Sequence, residues 1–186
     1  DQIANVAGDE LARSPLLHFQ HTHLFRLEDL AVVEELHGLA LAERALTPRT
    51  TALYVNTPNN PTGRMLDQDE LQSLVDMARR HDLWLWSDEV YEDYGYRRKH
   101  VPLRTLAPER TFSAHSFSKA YGMAGMRIGY AIGSADTVKP LARLKMPYNV
   151  SVFGIAAAIA AIGDPAHIEA ERARNTEVRA FTAKAL

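Results

Sequence analysis

One lysine and one arginine stand in the small-residue stretch SFSKAYGMAGMRIGY, residues 116–130. Lys119 follows two serines, Ser116 and Ser118, and Arg127 comes eight positions after the lysine. A lysine amine that is held neutral by burial or by neighbouring cations can form a Schiff base with an aldehyde. Hydroxyls and a guanidinium fork are groups that bind phosphate. The stretch therefore combines a group for covalent chemistry with a predicted phosphate site.

Two further loops carry polar side chains that suit an aromatic cofactor. The segment TPNNPTG, 57–63, contains Asn60, and the segment DEVYEDY, 88–94, contains Asp88 and Tyr91. The carboxylate can pair with a protonated ring nitrogen, while the amide and the phenol can hydrogen-bond a ring hydroxyl. Pyridoxal phosphate (PLP) combines an aldehyde, a pyridinium nitrogen, a ring hydroxyl and a phosphate. The three loops together therefore predict a PLP site.

The predicted strands bring these loops to one edge of a sheet. Short apolar runs bounded by turn residues predict strands at 52–56, 83–87, 111–115 and 127–133. Each of the first three ends where a polar loop begins, and ligands of open α/β sheets bind outside the carboxyl ends of parallel strands. Segment 116–126 is too short for a full crossover helix, so we expect the fourth strand to run antiparallel.

The pattern between the strands predicts helices and an α/β fold. The amphipathic run LDQDELQSLVDMARRH has acidic residues in its first turn and basic residues in its last. We predict a three-layer α/β/α architecture with a mostly parallel sheet. Further helices are predicted at 28–46, 135–145, 151–162 and 165–186, with a helix end at 1–7 and a short strand at 10–16.

Composition excludes several classes of protein. The 186 residues carry a net charge of -2, which argues against a general nucleic-acid or membrane binder. The apolar run 150–162 is shorter than the roughly 20 residues of a membrane span. The chain has no cysteine, so it has no disulfide or thiolate metal site. This absence fits any compartment, and we expect the cytoplasm. No acidic residue stands at ligand spacing from His18, His21 and His23, so we expect no metal.

The segments NTPNNPTG, SDEVYEDY and SFSKAYGMAGMRIGY together resemble the signatures of fold-type I, class I/II aminotransferases, the aspartate aminotransferase superfamily. They occur in the family's order and with similar separations, and the resemblance covers nearly the whole chain. It implies that residues 1–150 form a PLP-binding large domain, incomplete at its N-terminus. Residues 151–186 would then be helices that lead into a truncated small C-terminal domain.

The resemblance also implies a role for each matching residue of the PLP site. It implies that Lys119 forms the Schiff base and shuttles the substrate proton, and that Asp88 keeps the pyridine nitrogen protonated. Asn60 and Tyr91 would bind the ring hydroxyl oxygen. The resemblance assigns the phosphate to Ser116 and Arg127, with Ser118 as a helper.

The implied function is PLP-dependent transfer of an amino group between an amino acid, or an amine such as histidinol phosphate, and a 2-oxo acid. A homodimer is implied as well. The stretch 117–130 and the segment 145–162 resemble the histidinol-phosphate branch, whereas SDEVYEDY resembles aspartate-type branches. The family's upstream phosphate-binding segment and its substrate-carboxylate arginine have no match. We expect them outside this sequence, so the isolated piece should be inactive.

Other functions remain open at this point. A PLP-dependent lyase or synthase of the same fold would use the same cofactor contacts. A non-catalytic binding or dimerisation domain would not need Lys119 or Asp88. Ser116 and Lys119 also form S-x-x-K, as in serine β-lactamases and penicillin-binding proteins, but no S-D-N or K-T-G follows. In that class the serine should begin a helix.

Overall fold

A five-stranded sheet forms the centre of the structure, a computed structural model that describes residues 30–32, 39–142 and 146–186. The strands lie side by side in chain order: β1 (Leu30–Val32), β2 (Ala52–Asn56), β3 (Trp84–Asp88), β4 (Thr111–Ser116) and β5 (Gly129–Ile132). The first four run parallel, and β5 pairs antiparallel with β4. The predicted α/β fold with a mostly parallel sheet and an antiparallel last strand is confirmed.

Two helices cover one face of this sheet. They are α1 (Leu39–Ala45) and α2 (Gln68–Arg80). The alternating residues Leu53, Val55 and Leu85 point from the strands into a common core with these helices. Its other buried apolar members include Ala42, Leu71, Leu74, Val75, Met77, Ala78 and Leu103. This core holds β2 and β3 rigidly, and both strands end at predicted site residues.

The start of α2 follows the capping rules that its sequence predicts. Asp67 accepts a hydrogen bond from the Glu70 backbone nitrogen at 2.9 Å, and the Glu70 carboxylate accepts one from the Asp67 backbone nitrogen at 2.8 Å. These reciprocal bonds form a capping box and satisfy backbone donors that the first helical turn leaves free. The cap therefore fixes where the chain leaves the 57–63 loop and enters the helix.

The remaining helices follow β5. They are α3 (Ala135–Ala142), α4 (Val152–Ile162) and α5 (Pro165–Ala185), and short 3-10 turns occur at Glu92–Tyr94, Leu103–Thr105 and Ala124–Met126. Tyr96 donates a hydrogen bond to Asn175 of α5, and the Arg179 guanidinium lies 3.9 Å from the Tyr96 ring centroid. Tyr94 packs beside Tyr96. These two tyrosines therefore pack the 88–94 region against α5.

The predicted helix over 28–46 is wrong in its first part. Leu30–Val32 forms strand β1 and pairs with the edge of β2, while α1 covers only Leu39–Ala45. The apolar residues there also fit a helix, and pairing with a distant strand decides the outcome. The elements predicted at 1–7 and 10–16, the three histidines and the end of the 135–145 helix lie outside the described residues. The domain division at residue 150 stays a prediction.

Within the described ranges, no single helix combines the length and apolar composition of a membrane span. Helices α4 and α5 pass that test only when they are taken together, and the chain bends by 81° between them.

Candidate active site

The carboxyl ends of β2, β3 and β4 meet at one edge of the sheet, as the sequence predicts. In the strand registers, Asp88 lies opposite Asn56 on one side and Ala114 on the other. Backbone bonds continue past the strand ends: Thr57 donates to the Asp88 carbonyl at 3.1 Å and Glu89 donates to the Ala114 carbonyl at 2.9 Å. The loops that carry the predicted residues therefore leave the sheet together.

Asn56 connects two of these loops, a role that the sequence analysis missed. Its amide nitrogen donates to the Asp88 carbonyl at 3.1 Å. Its amide oxygen accepts hydrogen bonds from the Asn60 backbone nitrogen at 2.9 Å and from the Asn59 side chain at 3.3 Å. Asn56 is buried, so its amide provides a fixed support for Asn60. The only signal in the sequence is its place as the last residue of a strand.

Asn60, Tyr91 and Lys119 come together from three different loops. The Asn60 amide donates to the Tyr91 hydroxyl at 3.2 Å. The Lys119 ammonium lies 5.2 Å from the centroid of the Tyr91 ring. That distance is within the range of a cation–π contact. The predicted meeting of the three loops is thus visible in direct contacts.

Lys119 is exposed rather than buried. The sequence interpretation used burial or neighbouring cations to keep its amine neutral, and within the described residues its side chain is not buried. The reason is that β4 ends at Ser116, and Lys119 lies three residues further on in a turn that projects from the sheet edge. The amine is therefore accessible to a ligand that binds at this edge.

The Asp88 carboxylate is half-buried at the end of β3 and has a defined orientation. The Tyr54 hydroxyl donates to its Oδ2 atom at 2.7 Å, and the Val90 backbone nitrogen donates to its Oδ1 atom at 3.3 Å. Together the two bonds fix the orientation of the carboxyl group. Asp88 is thus held as an acceptor for a cationic or N–H group.

The segment between Ser116 and Arg127 is a compact turn. The Ser118 backbone nitrogen donates to the Ser116 hydroxyl at 3.0 Å, and Gly122 has a φ of +66°. Among the described residues, no heavy atom beyond the chain neighbours lies within 4 Å of a Cβ atom added at Gly122 or Gly125. The positive φ therefore accounts for glycine at position 122, and close packing does not account for Gly125.

Arg127 lies near Ser116 through strand pairing rather than through a direct bond in the described structure. Ser116 pairs with Gly129, two residues after Arg127. The guanidinium is exposed and donates to the Ala124 carbonyl at 2.8 Å, and the backbone φ is +52°. A positive φ is uncommon for a residue with a side chain and is often kept at functional sites. The fork is accessible for an anion.

Comparison with known proteins decides the family. The sequence profile described as aminotransferase class I and II matches residues 1–186. The chain belongs to this family. It is 48% identical over 99 residues to the probable aspartate/prephenate aminotransferase of Thermus aquaticus, covering 53% of this chain and 26% of that protein. It is 40% identical over 144 residues to the histidinol-phosphate aminotransferase of Hyphomonas neptunium, covering 76% and 39%.

Solved structures of this aminotransferase family share the fold. The N-succinyldiaminopimelate aminotransferase of Mycobacterium tuberculosis superimposes with a TM-score of 0.72 at 32% identity, covering 79% of this chain and 40% of that one. The chain thus spans well under half the length of the relatives it matches. Its resemblance to class I/II aminotransferases, inferred from the three sequence segments, is confirmed.

The S-x-x-K alternative is not supported by the aminotransferase fold. Ser116 is the last residue of strand β4 and does not begin a helix. Its hydroxyl accepts a hydrogen bond from the Ser118 backbone nitrogen instead of contacting a general base. A serine nucleophile of the penicillin-binding type would begin a helix and contact a general base.

Glu89, which the sequence analysis did not select, is fully buried next to Asp88. Its carboxylate accepts hydrogen bonds from His100 Nε2 at 2.9 Å, from the Ser113 hydroxyl at 3.0 Å and from the Leu103 backbone nitrogen at 3.2 Å. Burial raises the pKa of Glu89, but the hydrogen bonds and charge of His100 outweigh burial, so the pKa lies below its usual value of 4.5. Glu89 thus connects the loop that carries Tyr91 to strand β4.

Replacing Glu89 by glutamine should lower the free energy of unfolding at pH 7 by about 1–3 kcal/mol, because a buried, hydrogen-bonded charge is lost. The folded-state pKa of Glu89 is below 4.5, so its contribution is complete above about that pH and disappears as the pH falls through the folded value. Urea unfolding at pH 7 and at lower pH should show the difference between wild type and Glu89→Gln shrinking.

The control for this experiment is Glu177→Gln, an exposed position of α5. It should change the unfolding free energy by less than about 0.5 kcal/mol at either pH. A Glu89→Gln variant with wild-type stability at pH 7 would contradict the structural role of Glu89.

A second acid–histidine pair lies beneath the same sheet edge. His115 Nδ1 donates to Glu92 Oε1 at 2.7 Å, and the His115 ring stacks on Tyr130 with centroids 4.8 Å apart. Burial, with a smaller effect of the Glu92 charge, raises the pKa of Tyr130 to about 12. Tyr130 therefore stays protonated near neutral pH and serves packing. The pair fixes the residue that precedes Ser116.

The donor atoms of Glu89, Glu92 and His115 lie within 4.8 Å of one another, a spacing that a metal ion could use. However, both carboxylates already accept hydrogen bonds from histidines. A cavity of about 340 Å³ lies nearby and is lined by residues that include Glu92, His100 and Arg172. None of the seven residues predicted from the sequence lines that cavity. The open sheet edge therefore remains the candidate active site.

Proposed function

We propose that the protein containing this chain is a PLP-dependent aminotransferase. It would move an amino group between an amino acid, or an amine such as histidinol phosphate, and a 2-oxo acid. The observation that carries the proposal is the gathering of Asp88, Asn60, Tyr91 and Lys119 at one sheet edge of a chain that belongs to this family. Because the chain matches only part of its relatives' length, the activity is proposed for the whole protein.

The chemistry of the side chains fits PLP. An accessible amine suits an aldehyde, an oriented carboxylate suits a ring nitrogen, and an amide–phenol pair suits a ring oxygen. Two serines and an accessible guanidinium lie in segment 116–127 and suit a phosphate dianion. When bound, PLP supplies an electron-withdrawing ring that stabilises negative charge on the substrate carbon.

Each site residue of this chain would then have its own role. Lys119 would accept the substrate proton at its Nζ atom and return it, which requires an unprotonated amine. Its exposed position in a turn would let the amine reach the substrate. Asp88 would stabilise positive charge at the ring nitrogen because its carboxylate is fixed and negative. Tyr91 and Asn60 would orient the ring through its oxygen. Ser116 and Arg127 would anchor the phosphate.

The named relatives support a proposal for the class of substrate. Curated relatives include an aspartate/prephenate and a histidinol-phosphate aminotransferase. We therefore propose an amino donor or acceptor of these types, and a homodimer as the functional unit. A cytoplasmic location stays a prediction.

Borohydride trapping tests the proposal. The full-length gene product is incubated with PLP, reduced, digested and mapped by mass spectrometry. The expected result is a pyridoxyl group on Lys119, with little label on the exposed Lys99 and Lys139. A label spread evenly over surface lysines, or no label on the full-length protein, would overturn the proposed function.

Arg127→Ala is expected to weaken PLP retention by about tenfold to a hundredfold, because one or two charged hydrogen bonds to phosphate are lost. Stability should change little because the side chain is exposed. Fluorescence titration of the apoprotein measures the PLP affinity, and urea unfolding measures the stability. Arg97→Ala, also exposed, is the matched control and should leave both unchanged. An unchanged affinity in Arg127→Ala would refute its phosphate role.

A further inference from the structure

Tyr54 of β2 lies beside the Asp88 carboxylate that the proposed function uses. The register of β2 and β3 pairs Tyr54 with Trp86 and Asn56 with Asp88. Alternate residues of a strand share a face, so Trp86 and Asp88 point the same way, and Tyr54 shares their face. Tyr54 and Asp88 are therefore diagonal neighbours, a separation that a tyrosine side chain can bridge.

The contact between them is a short, charge-assisted hydrogen bond. The Tyr54 hydroxyl lies 2.7 Å from Asp88 Oδ2, whereas the Val90 backbone nitrogen lies 3.3 Å from Oδ1. Hydrogen bonds from a hydroxyl to a carboxylate are stronger than long bonds from a backbone nitrogen. Of these two donors, Tyr54 thus has the larger effect on how the carboxylate is oriented.

The Tyr54 ring is itself held in place by packing that does not involve its hydroxyl. Its centroid lies 5.9 Å from that of Trp86 at an interplanar angle of 78°, and Trp86 makes a similar edge contact with Phe112 at 6.2 Å. Edge-to-face contacts of this kind are a preferred geometry of aromatic pairs. A row of three rings across three strands therefore fixes the point from which the hydroxyl donates.

Asn56 lies directly opposite Asp88 and binds backbone atoms of the two loops. Its amide nitrogen donates to the Asp88 backbone carbonyl, and its amide oxygen accepts from the Asn60 backbone nitrogen. These bonds support the loops. The carboxylate itself is held from the neighbouring strand by Tyr54.

We propose that Tyr54 is a positioning residue of the cofactor site, which holds the Asp88 carboxylate in the orientation that meets the ring nitrogen of PLP. The inference rests on the proposed function. A carboxylate that is already oriented loses less conformational freedom when the ring binds, so its hydrogen bond contributes more to affinity. Tyr54 would act only through Asp88.

Tyr54→Phe tests this role because it removes the hydroxyl and keeps the ring that packs on Trp86. In the full-length apoprotein, titration with PLP followed by fluorescence should show about threefold to tenfold weaker binding, the cost of ordering one side chain that is no longer held before the ring binds. The matched control is Tyr96→Phe, which removes a hydroxyl that donates to Asn175 far along the chain. The control should bind PLP as the wild type does.

A double-mutant cycle separates positioning from packing. In an Asp88→Ala background, adding Tyr54→Phe should change PLP affinity by less than about twofold, since the group through which Tyr54 acts has been removed. Suppose that the wild type takes the pyridoxyl label on Lys119. Then either wild-type affinity in Tyr54→Phe or a full additional loss in the double variant would overturn the inference. If the wild type takes no label on Lys119, the proposed function fails, and this inference fails with it.

Discussion

Lys119→Arg is expected to lower the transamination kcat/KM by at least about 10³-fold and to remove the borohydride-stable pyridoxyl label. Arginine keeps the positive charge and can still lie over the Tyr91 ring. Its guanidinium stays protonated at any working pH, so it can neither attack an aldehyde nor accept the substrate proton. Steady-state kinetics with candidate amino donors and mass spectrometry of the reduced protein measure the two effects.

The same change should leave the fold intact, because Lys119 is exposed in a turn beyond β4. Urea unfolding should give a midpoint close to that of the wild type. Lys99→Arg is the matched control, since Lys99 is also an exposed loop lysine. It should keep both the activity and the Lys119 label. More than a tenth of wild-type activity in Lys119→Arg would contradict the assigned role.

The meeting of the three loops could be predicted from the sequence because it depends on local signals. Each of β2, β3 and β4 is a short apolar run that ends at a polar loop, and the structure places the strand ends within one residue of the predicted positions. Parallel pairing then brings Asp88 beside the chain that leads to Asn60. Knowledge of strand order was not needed, since the strands lie in chain order.

The supporting contacts could not be predicted, because they join residues that are far apart in the chain. Tyr54 and Asp88 are 34 positions apart, and Glu89 and Ser113 are 24 apart. A tyrosine within an apolar strand is typical of ordinary packing, and a glutamate after an aspartate gives no sign of burial. Only the register of the strands and the path of the 88–103 loop reveal these partners.

The exposure of Lys119 also could not be predicted from the sequence. The sequence interpretation named burial or neighbouring cations as ways to keep this amine neutral, but exposure depends on which segments cover the sheet edge. In the described residues the amine contacts the Tyr91 ring and is otherwise accessible. Its chemistry therefore depends on the ligand and on neighbouring groups rather than on a buried setting.

Asp88→Asn should lower transamination by about 10³-fold. The asparagine has nearly the same shape, and its amide oxygen can still accept the hydrogen bond from Tyr54. What disappears is the negative charge. An opposite charge at roughly 4 Å is worth about 4 kcal/mol at an effective dielectric constant near 20, which corresponds to about a 10³-fold change in rate.

The pattern of effects distinguishes this charge from simple support of the fold. Asp76→Asn removes an exposed carboxylate of α2 and is the control, with expected wild-type kinetics and stability. In Asp88→Asn, kcat should fall far more than the PLP affinity, because the charge stabilises the transition state more than the bound cofactor. Borohydride should still label Lys119, since the amine and the phosphate site are unchanged. Near-normal turnover in Asp88→Asn would show that the ring nitrogen needs no carboxylate here and would remove Asp88 from the catalytic group.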